Sequence, residues 1–565
     1  MQRSQLIRVS RHLISGVLLL FVALHLLNAY SIPLLDRIDK VLYDIRLAGF
    51  VSNVKDDRIV IIDIDEKSLA NEGRWPWSRE KLGFLVDMLF SYYKVRLLAF
   101  DVVFSERDET LDIDTAKKVL HQIVGKNVTR AEAFASLDKA LNHDTVLADS
   151  LRNRPVVLGY YFSDKLEERN PGVLPQAPMS ISVQPLKELT AFKSYGGNLK
   201  VLQAAAHSGG FLNASSVDKD GVLRRLPLLA RYQDGLYDSL ALAVVRALLQ
   251  EPEIKMELED GYGEDLHDAR LERIAISGLK KIPVNAMAEV LIPFKTGIKG
   301  FTYISATDVL QGKIAPETLK EKIVLVGTTA TGLSDLYPTP VHKLFPGVEV
   351  HANLIAGILD QTIKSRPAFI QGWEVVQLGI IGLFTVLLFP RLQAGAMTVV
   401  FILLLVGVVA VNLYQWEYLG IDGRLTPFLL LLFLTYLVQI SLGYFFETKR
   451  KNRLSTLFGQ YVPPPLVEEM NRSDEDFAIA GDSREMTVLF SDIRGFTAIS
   501  ELLKPDQLCI LINEILTAVT KEIHAASGII DKYMGDNVMA FWGAPLRDAR
   551  HGSQGVGAAI SIIKT

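Results

Sequence analysis

Two rhythms of apolar and polar positions divide this chain. Between residues 36 and about 366, short apolar runs alternate with stretches of helical period. RIVIIDIDEKSL predicts a strand and a following turn, REKLGFLVDMLFSYY a helix, and VRLLAFDVVF a returning strand. That order is a βαβ pattern. Residues 130–153 predict another helix and VVLGYYF another strand. A more polar, strand-rich middle follows, punctuated at Asn170-Pro171, Asp220-Gly221 and Gly261. KIVLVGTT then predicts a strand entering a glycine loop, and VEVHANLIAGIL a helix. This region predicts a mixed α/β domain that buries its own core.

Four longer apolar runs stand outside that rhythm, at 13–35 and about 375–389, 394–414 and 425–446. A bilayer needs about 20 apolar residues per helix, so these predict four transmembrane helices, with Trp373 as an interfacial anchor for the short second run. Residues 1–12 carry Arg3, Arg8 and Arg11 and no acid. A cleaved signal peptide is the rival for the first run, but LNAYSIP puts Tyr30 where a small residue is needed, which favours an uncleaved anchor. Arg391 follows the second run and Lys449 to Arg453 (KRKNR) follow the fourth, while Glu417 and Asp422 outweigh Arg424 after the third. Basic flanks attract the cytoplasmic side. Both termini are therefore expected in the cytoplasm, with residues 36–366 outside and membrane lipid as a partner. His25 lies within the first run, either facing another helix as a neutral group or serving a function.

After the spans, 447–470 predicts a linker. Leu454, Leu457, Phe458 and Tyr461 make an apolar helical stripe, suited to a helix on the membrane or to a two-helix stalk. Pro463 to Pro465 end it, and LVEEM begins a new helix.

Composition sharpens this picture. At 565 residues the length suggests three or four domains, and 49% hydrophobic residues suit a chain with membrane spans. A net charge of −4 gives no sign of nucleic acid as a partner. The single cysteine, Cys509, rules out an intrachain disulfide framework.

Candidate chemistry gathers near the C-terminal end. TVLFSD is a β-rich run ending at Asp492, and RGFTAISELL begins a helix. GIIDKYM, a turn at Gly535-Asp536-Asn537 and VMAFWG predict a hairpin. In one reading Asp492 caps the helix and Asp536 is an ordinary turn residue. In the other, the two carboxylates share divalent cations, which prefer carboxylate oxygens and substrate phosphates. In that reading, backbone amides near Ile493 to Phe496 face phosphate.

FSDIRGFT at 490–497 and KYMGDNVMAFWGAP at 532–545, with FGQYVPPPLVEEM at 458–470 as lead-in, together resemble the class III nucleotide cyclase family. The resemblance implies a ferredoxin-like α+β domain over 484–565. It makes Asp492 and Asp536 the catalytic metal ligands for two Mg2+ or Mn2+ ions, assisted by the Ile493 carbonyl. Gly495, Phe496 and Thr497 fall on the substrate side, and Lys532 matches the base-reading lysine of adenylate cyclases. ATP would then be converted to cyclic AMP and pyrophosphate in a site shared by a homodimer. The family's second base-reading residue and its Asn and Arg pair lie past Thr565. The expectation is therefore a C-terminally truncated cyclase domain, inactive by itself, with a non-catalytic sensor or scaffold as the alternative.

YDIRL at 43–47, IVIIDIDEKSL, GRWPWSR at 73–79, FDVVFSERD at 100–108 and KIVLVGTTATGLSDLYPTP resemble the CHASE2 family of extracytoplasmic sensor domains. That resemblance implies a regulatory ligand without identifying it, and fits a bacterial inner membrane. Asp63 and Asp65 alternate along one predicted strand and so share a face, and Asp101 ends another. They are either turn-capping groups or a weak candidate for the ligand site. Trp75 and Trp77 read as packing. Gly327-x4-Gly332 lacks the Lys-Ser/Thr of a phosphate loop, since Leu333-Ser334 stand there. The whole predicts a multidomain α/β membrane protein.

Overall fold

A computed structural model describes residues 2–30, 32–52, 54–108, 143–165, 170–180, 188–213, 217–258, 270–458, 483–544 and 547–565. The expected turn at Gly261, most of the helix over 130–153, the lead-in motif after Phe458 and the end of the apolar stripe at Tyr461 lie outside these residues. The chain divides into two units, Met1–Tyr436 and Leu437–Thr565, treated separately below.

The first unit opens with helix α1 (Gln2–Leu26) and helix α2 (Pro33–Gly49). The expected span over 13–35 is thus divided, which corrects that boundary. Asn28 takes a left-handed backbone, and Pro33 begins α2 behind an extended Ile32. Proline restricts the residue before it and suits the first helical turn.

The apolar runs of the α/β domain become β1 (Asp56–Asp63), β2 (Leu97–Phe100) and β3 (Val156–Ser163), with β4 (Ser208–Phe211), β5 (Phe301–Ser305) and β6 (Ile323–Gly327). They run in the order β5-β1-β6-β2-β3, all parallel, with β4 parallel to β3 beyond. Ile61 lies between Tyr303 and Leu325, and Leu325 beside Ala99. Such a sheet must be covered on both faces, which is why its strands read as unbroken apolar runs. Ile59, Ile61, Leu97, Ala99 and Leu325 belong to the core that includes α6 (Leu240–Leu248) and α7 (Gly347–Asp360). Val60, Ile62, Leu98, Phe100 and Val324 belong to a second core with α4 (Arg79–Asp87) and α5 (His143–Leu151).

One expectation about β1 fails. Asp63 ends the strand, and Asp65 lies beyond it as the N-cap of α3 (Glu66–Glu72), accepting from Ser68 N at 2.8 Å. The two carboxylates therefore do not share a strand face. The local reason is Asp-x-x-Ser at 65–68, which favours a helix start over two further strand residues.

Three helices follow that are long and apolar enough to cross a membrane: α8 (Phe369–Leu388), α9 (Ala394–Glu417) and the apolar part, Thr426–Tyr444, of α10 (Thr426–Phe458). An apolar stretch of α1, Ser10–Leu26, is shorter. Val22, Leu26, Leu378, Phe428 and Leu431 form the contact among α1, α8 and α10.

In the second unit, β7 (Thr487–Ser491), β8 (Ile529–Met534) and β9 (Asn537–Trp542) form an antiparallel sheet in the order β7-β9-β8. Helices α11 (Phe496–Leu502), α12 (Pro505–Ala525) and α13 (His551–Lys564) accompany it. Ile530, Val538, Ala540 and Trp542 meet Ile523 of α12 and Ala558 of α13 in one core. Trp542 donates its Nε1–H to the Ala526 carbonyl at 2.8 Å, tying β9 to the end of α12.

Candidate active site

The alternating burial of β9 places Val538, Ala540 and Trp542 on the covered face. Its other face carries Met539 and Phe541, which pair with Phe490 and Val488 of β7. Phe490 is 59% exposed and Val488 43%, so this face is apolar and open.

Lys532 reaches that open face through a bulge. Ile530 pairs with Ala540, and Lys532 pairs with Met539, leaving Asp531 as an extra residue between them. Simple alternation would give Lys532 the same face as the buried Ile530. An inserted residue reverses the alternation, so Lys532 lies out with Met539. Its ammonium lies 3.1 Å from the Asp531 carboxylate, and both are accessible.

Asp492 and Asp536 come together. Ser491, the last residue of β7, pairs with Val538, and Met534 closes the hairpin on Asn537. Between them Gly535 adopts φ +69°, the left-handed region that glycine enters freely, at the first loop position. This turn sets Asp536 beside Asp492, within hydrogen-bond contact of its carboxyl. The Asp536 neighbour raises the Asp492 carboxyl above its ordinary range, since two adjacent carboxylates resist being charged together. Asp492 does not cap α11; the N-cap is Gly495, at φ +75°. The Ile493 carbonyl accepts from Phe496 N–H at 3.1 Å and keeps a second lone pair. That amide bond turns the Phe496 N–H inward to the loop rather than outward. Thr497, in the first turn of α11, offers its carbonyl to Ser500 Oγ at 2.8 Å.

Oxygen donors alone, two of them carboxylates in contact, fit a hard divalent cation. Among the described residues no three His, Cys, Asp or Glu side chains gather as a metal set. Any cation here would complete its shell from backbone oxygen, water or phosphate. Sequence reasoning missed Asn537, whose Oδ1 is buried without a hydrogen-bond partner next to the turn. Its place inside a turn triplet concealed it.

The three acids singled out in the first domain, Asp63, Asp65 and Asp101, part company. Asp63 accepts from Thr329 N at 2.9 Å and Thr329 Oγ1 at 2.5 Å, joining β1 to the loop after β6. Asp65 caps α3 and also accepts from Ser305 Oγ. Asp101, after β2, is half-buried; burial pushes its carboxyl up to about 7, with the Asp335 carboxylate adding to the rise. Trp75 and Trp77 pack edge to face with centroids 5.6 Å apart.

Comparison with known proteins agrees with both halves. The family model described as the CHASE2 domain matches residues 17–390. The model described as the adenylate and guanylate cyclase catalytic domain matches 480–565. The chain is similar to adenylate cyclase 1 of Rhizobium meliloti, at 32% identity over 105 residues, covering 19% of this chain and 16% of that protein. It is similar to an adenylate cyclase of Anabaena cylindrica, at 44% over 87 residues, covering 15% and 17%. The chain thus spans about a sixth of the length of these curated relatives. The crystal structure of the adenylyl cyclase CyaB from P. aeruginosa matches 14% of this chain and 41% of its own at 40% identity, with a TM-score of 0.14.

Proposed function

We propose a function for a chain that belongs to the CHASE2 domain family and carries an adenylate and guanylate cyclase catalytic domain. It is a membrane-bound sensor adenylate cyclase, converting ATP to cyclic AMP and pyrophosphate under control of a signal read outside the cytoplasm. Four helices, from α1 and α8 to α10, hold it in the membrane in this reading. The bacterial inner membrane suits its organisation.

The contact between the Asp492 and Asp536 carboxylates carries the proposal. With the Ile493 carbonyl they would hold two Mg2+ or Mn2+ ions. Bound there, the ions would stabilise charge on the triphosphate and lower the pKa of the attacking ribose hydroxyl. The chain's own part is positional. Asp492 and Asp536 fix where the triphosphate sits. Lys532, turned out by the bulge at Asp531, offers an N–H to an adenine ring nitrogen. It lies on the open sheet face, so it would serve a nucleotide held against a second copy of the chain. Gly495, Phe496 and Thr497 shape the loop beneath the phosphates. Cyclisation then depends on orientation and charge stabilisation. Acid weakens the site, because Asp492 takes up a proton more readily than an isolated carboxyl and then binds a cation poorly.

The test is cyclic AMP formation by the full-length gene product with ATP and Mn2+. Asp492→Ala is expected to lower the rate at least about 100-fold without moving the melting temperature. A rate equal to wild type would contradict the assignment. Absence of product from both proteins would leave a non-catalytic sensor.

A further inference from the structure

A cleft of about 790 Å3 lies between the outer domain and the outer ends of the apolar helices. Seven basic and four acidic residues line it, and Asp44, Asp220 and Glu374 reach the lining arginines from behind, so most of its charge is matched and what matters is which cations are left over. Most of those cations have partners. Arg224 pairs with Asp44, Asp218 and Asp220, Lys40 with Asp218, and Arg46 with Asp422. Arg366 pairs with Glu374 at 2.9 Å. Arg225 and Arg424 form no side-chain ion pair among the described residues; the Arg424 guanidinium makes one long bond, 3.4 Å, to Asn28 Oδ1, while its backbone N–H donates to Glu374 Oε1 at 2.7 Å. The other wall is apolar, built from Val409 and Leu413 of α9 and Leu425 and Leu429 around the start of α10.

Unpaired guanidinium groups above an apolar wall, at the end of helices long enough to cross a bilayer, match one kind of molecule. We propose that this cleft binds an anionic glycerophospholipid, its phosphate taken by Arg225 and Arg424 and an acyl chain lying along Val409, Leu413 and Leu429. Guanidinium suits phosphate because its planar donors pair with two oxygens at once. A free phosphate would leave the apolar wall unused.

The cleft is also a joint. Arg46 of α2 donates to Asn412 Oδ1 at 2.6 Å and to the Gly423 carbonyl at 3.2 Å, so the same wall fastens α2 to the connection between α9 and α10. Thr426 N donates to Asp39 Oδ1 of α2 at 3.0 Å. A bound headgroup beside these contacts holds the joint in one arrangement, which makes leaflet composition an input to the sensor. The inference rests on α8, α9 and α10 spanning a membrane and does not require cyclase activity.

The test measures lipid retained by the full chain, by native mass spectrometry after release from nanodiscs of phosphatidylcholine mixed with phosphatidylglycerol. Wild type is expected to keep phosphatidylglycerol, and Arg225→Gln with Arg424→Gln to lose it about tenfold. Arg225→Lys with Arg424→Lys keeps the charge and should retain most of the binding, and Lys320→Gln, on an exposed helix-flanking loop, should change nothing. Equal retention by wild type and the double Gln variant, or equal retention of phosphatidylcholine, overturns the proposal. So does displacement of the lipid by millimolar inorganic phosphate, which would mark a free-anion site. If the Gln variant fails to fold, competition between phosphatidylglycerol and phosphatidylcholine on wild type decides alone.

Discussion

The two sheets of this chain are finished to different degrees. In the α/β domain of the first unit every residue of β2 and β6 is buried, because helices cover both faces. In the catalytic domain β9 is buried on alternate residues only, β7 alternates half-buried with exposed, and the other face shows Phe490 and Val488. A sheet covered twice is a self-contained body. A sheet covered once, with apolar side chains on its bare face and the candidate base-reading Lys532 among them, is shaped to meet another surface. The chain pairs a closed sheet in its CHASE2 region with an open sheet in its cyclase region.

Substitutions can break that contrast. Leu325→Ala, in the middle of the doubly covered sheet and fully buried, should cost about 3 kcal/mol of folding stability by chemical denaturation. A cost below 1 kcal/mol would mean that this sheet is not closed as described. A pH titration of the same body gives a smaller effect. Asp101 sits at about 7 against an ordinary 3.8, so between those values the folded protein holds a proton that the unfolded chain has released. Stability should therefore fall as pH rises from about 4 to about 7. Asp101→Asn should remove that slope and gain about 2 kcal/mol above neutral pH, allowing for partial exposure. Thermal melts across the range check it, and an unchanged slope would refute it. Phe490→Ala should cost less than about 1 kcal/mol of folding, yet weaken self-association about tenfold in sedimentation. A large folding loss there would show that the bare face is already covered within one chain.

Much of this organisation was legible from run length. The long apolar helices, the strand at Val60, the strand at Val324 and the hairpin around Gly535 follow from patterns that only one element satisfies. What was hidden depends on pairing. Whether Lys532 lies in or out depends on the bulge at Asp531, which is visible only against β9. Asp65 continues the alternation of β1 on paper, but its side chain prefers the amide of Ser68. The partners of Arg224 include Asp44, 180 residues away, and no local pattern announces such a pair. Asp492 and Asp536 are each ambiguous as loop residues; that they are neighbours across β7 and β9 appears only once the strands are paired.

The central claim is that two copies of the open sheet build one site, with Asp492 and Asp536 from one copy and Lys532 from its partner. Mixing tests it most directly. Full-length Asp492→Ala and Lys532→Ala proteins, each inactive alone, are combined and assayed for cyclic AMP. Random pairing should restore roughly a quarter of the wild-type rate, since half the dimers are mixed and each mixed dimer has one intact site. No recovery, from proteins that still associate as wild type does, would contradict the account.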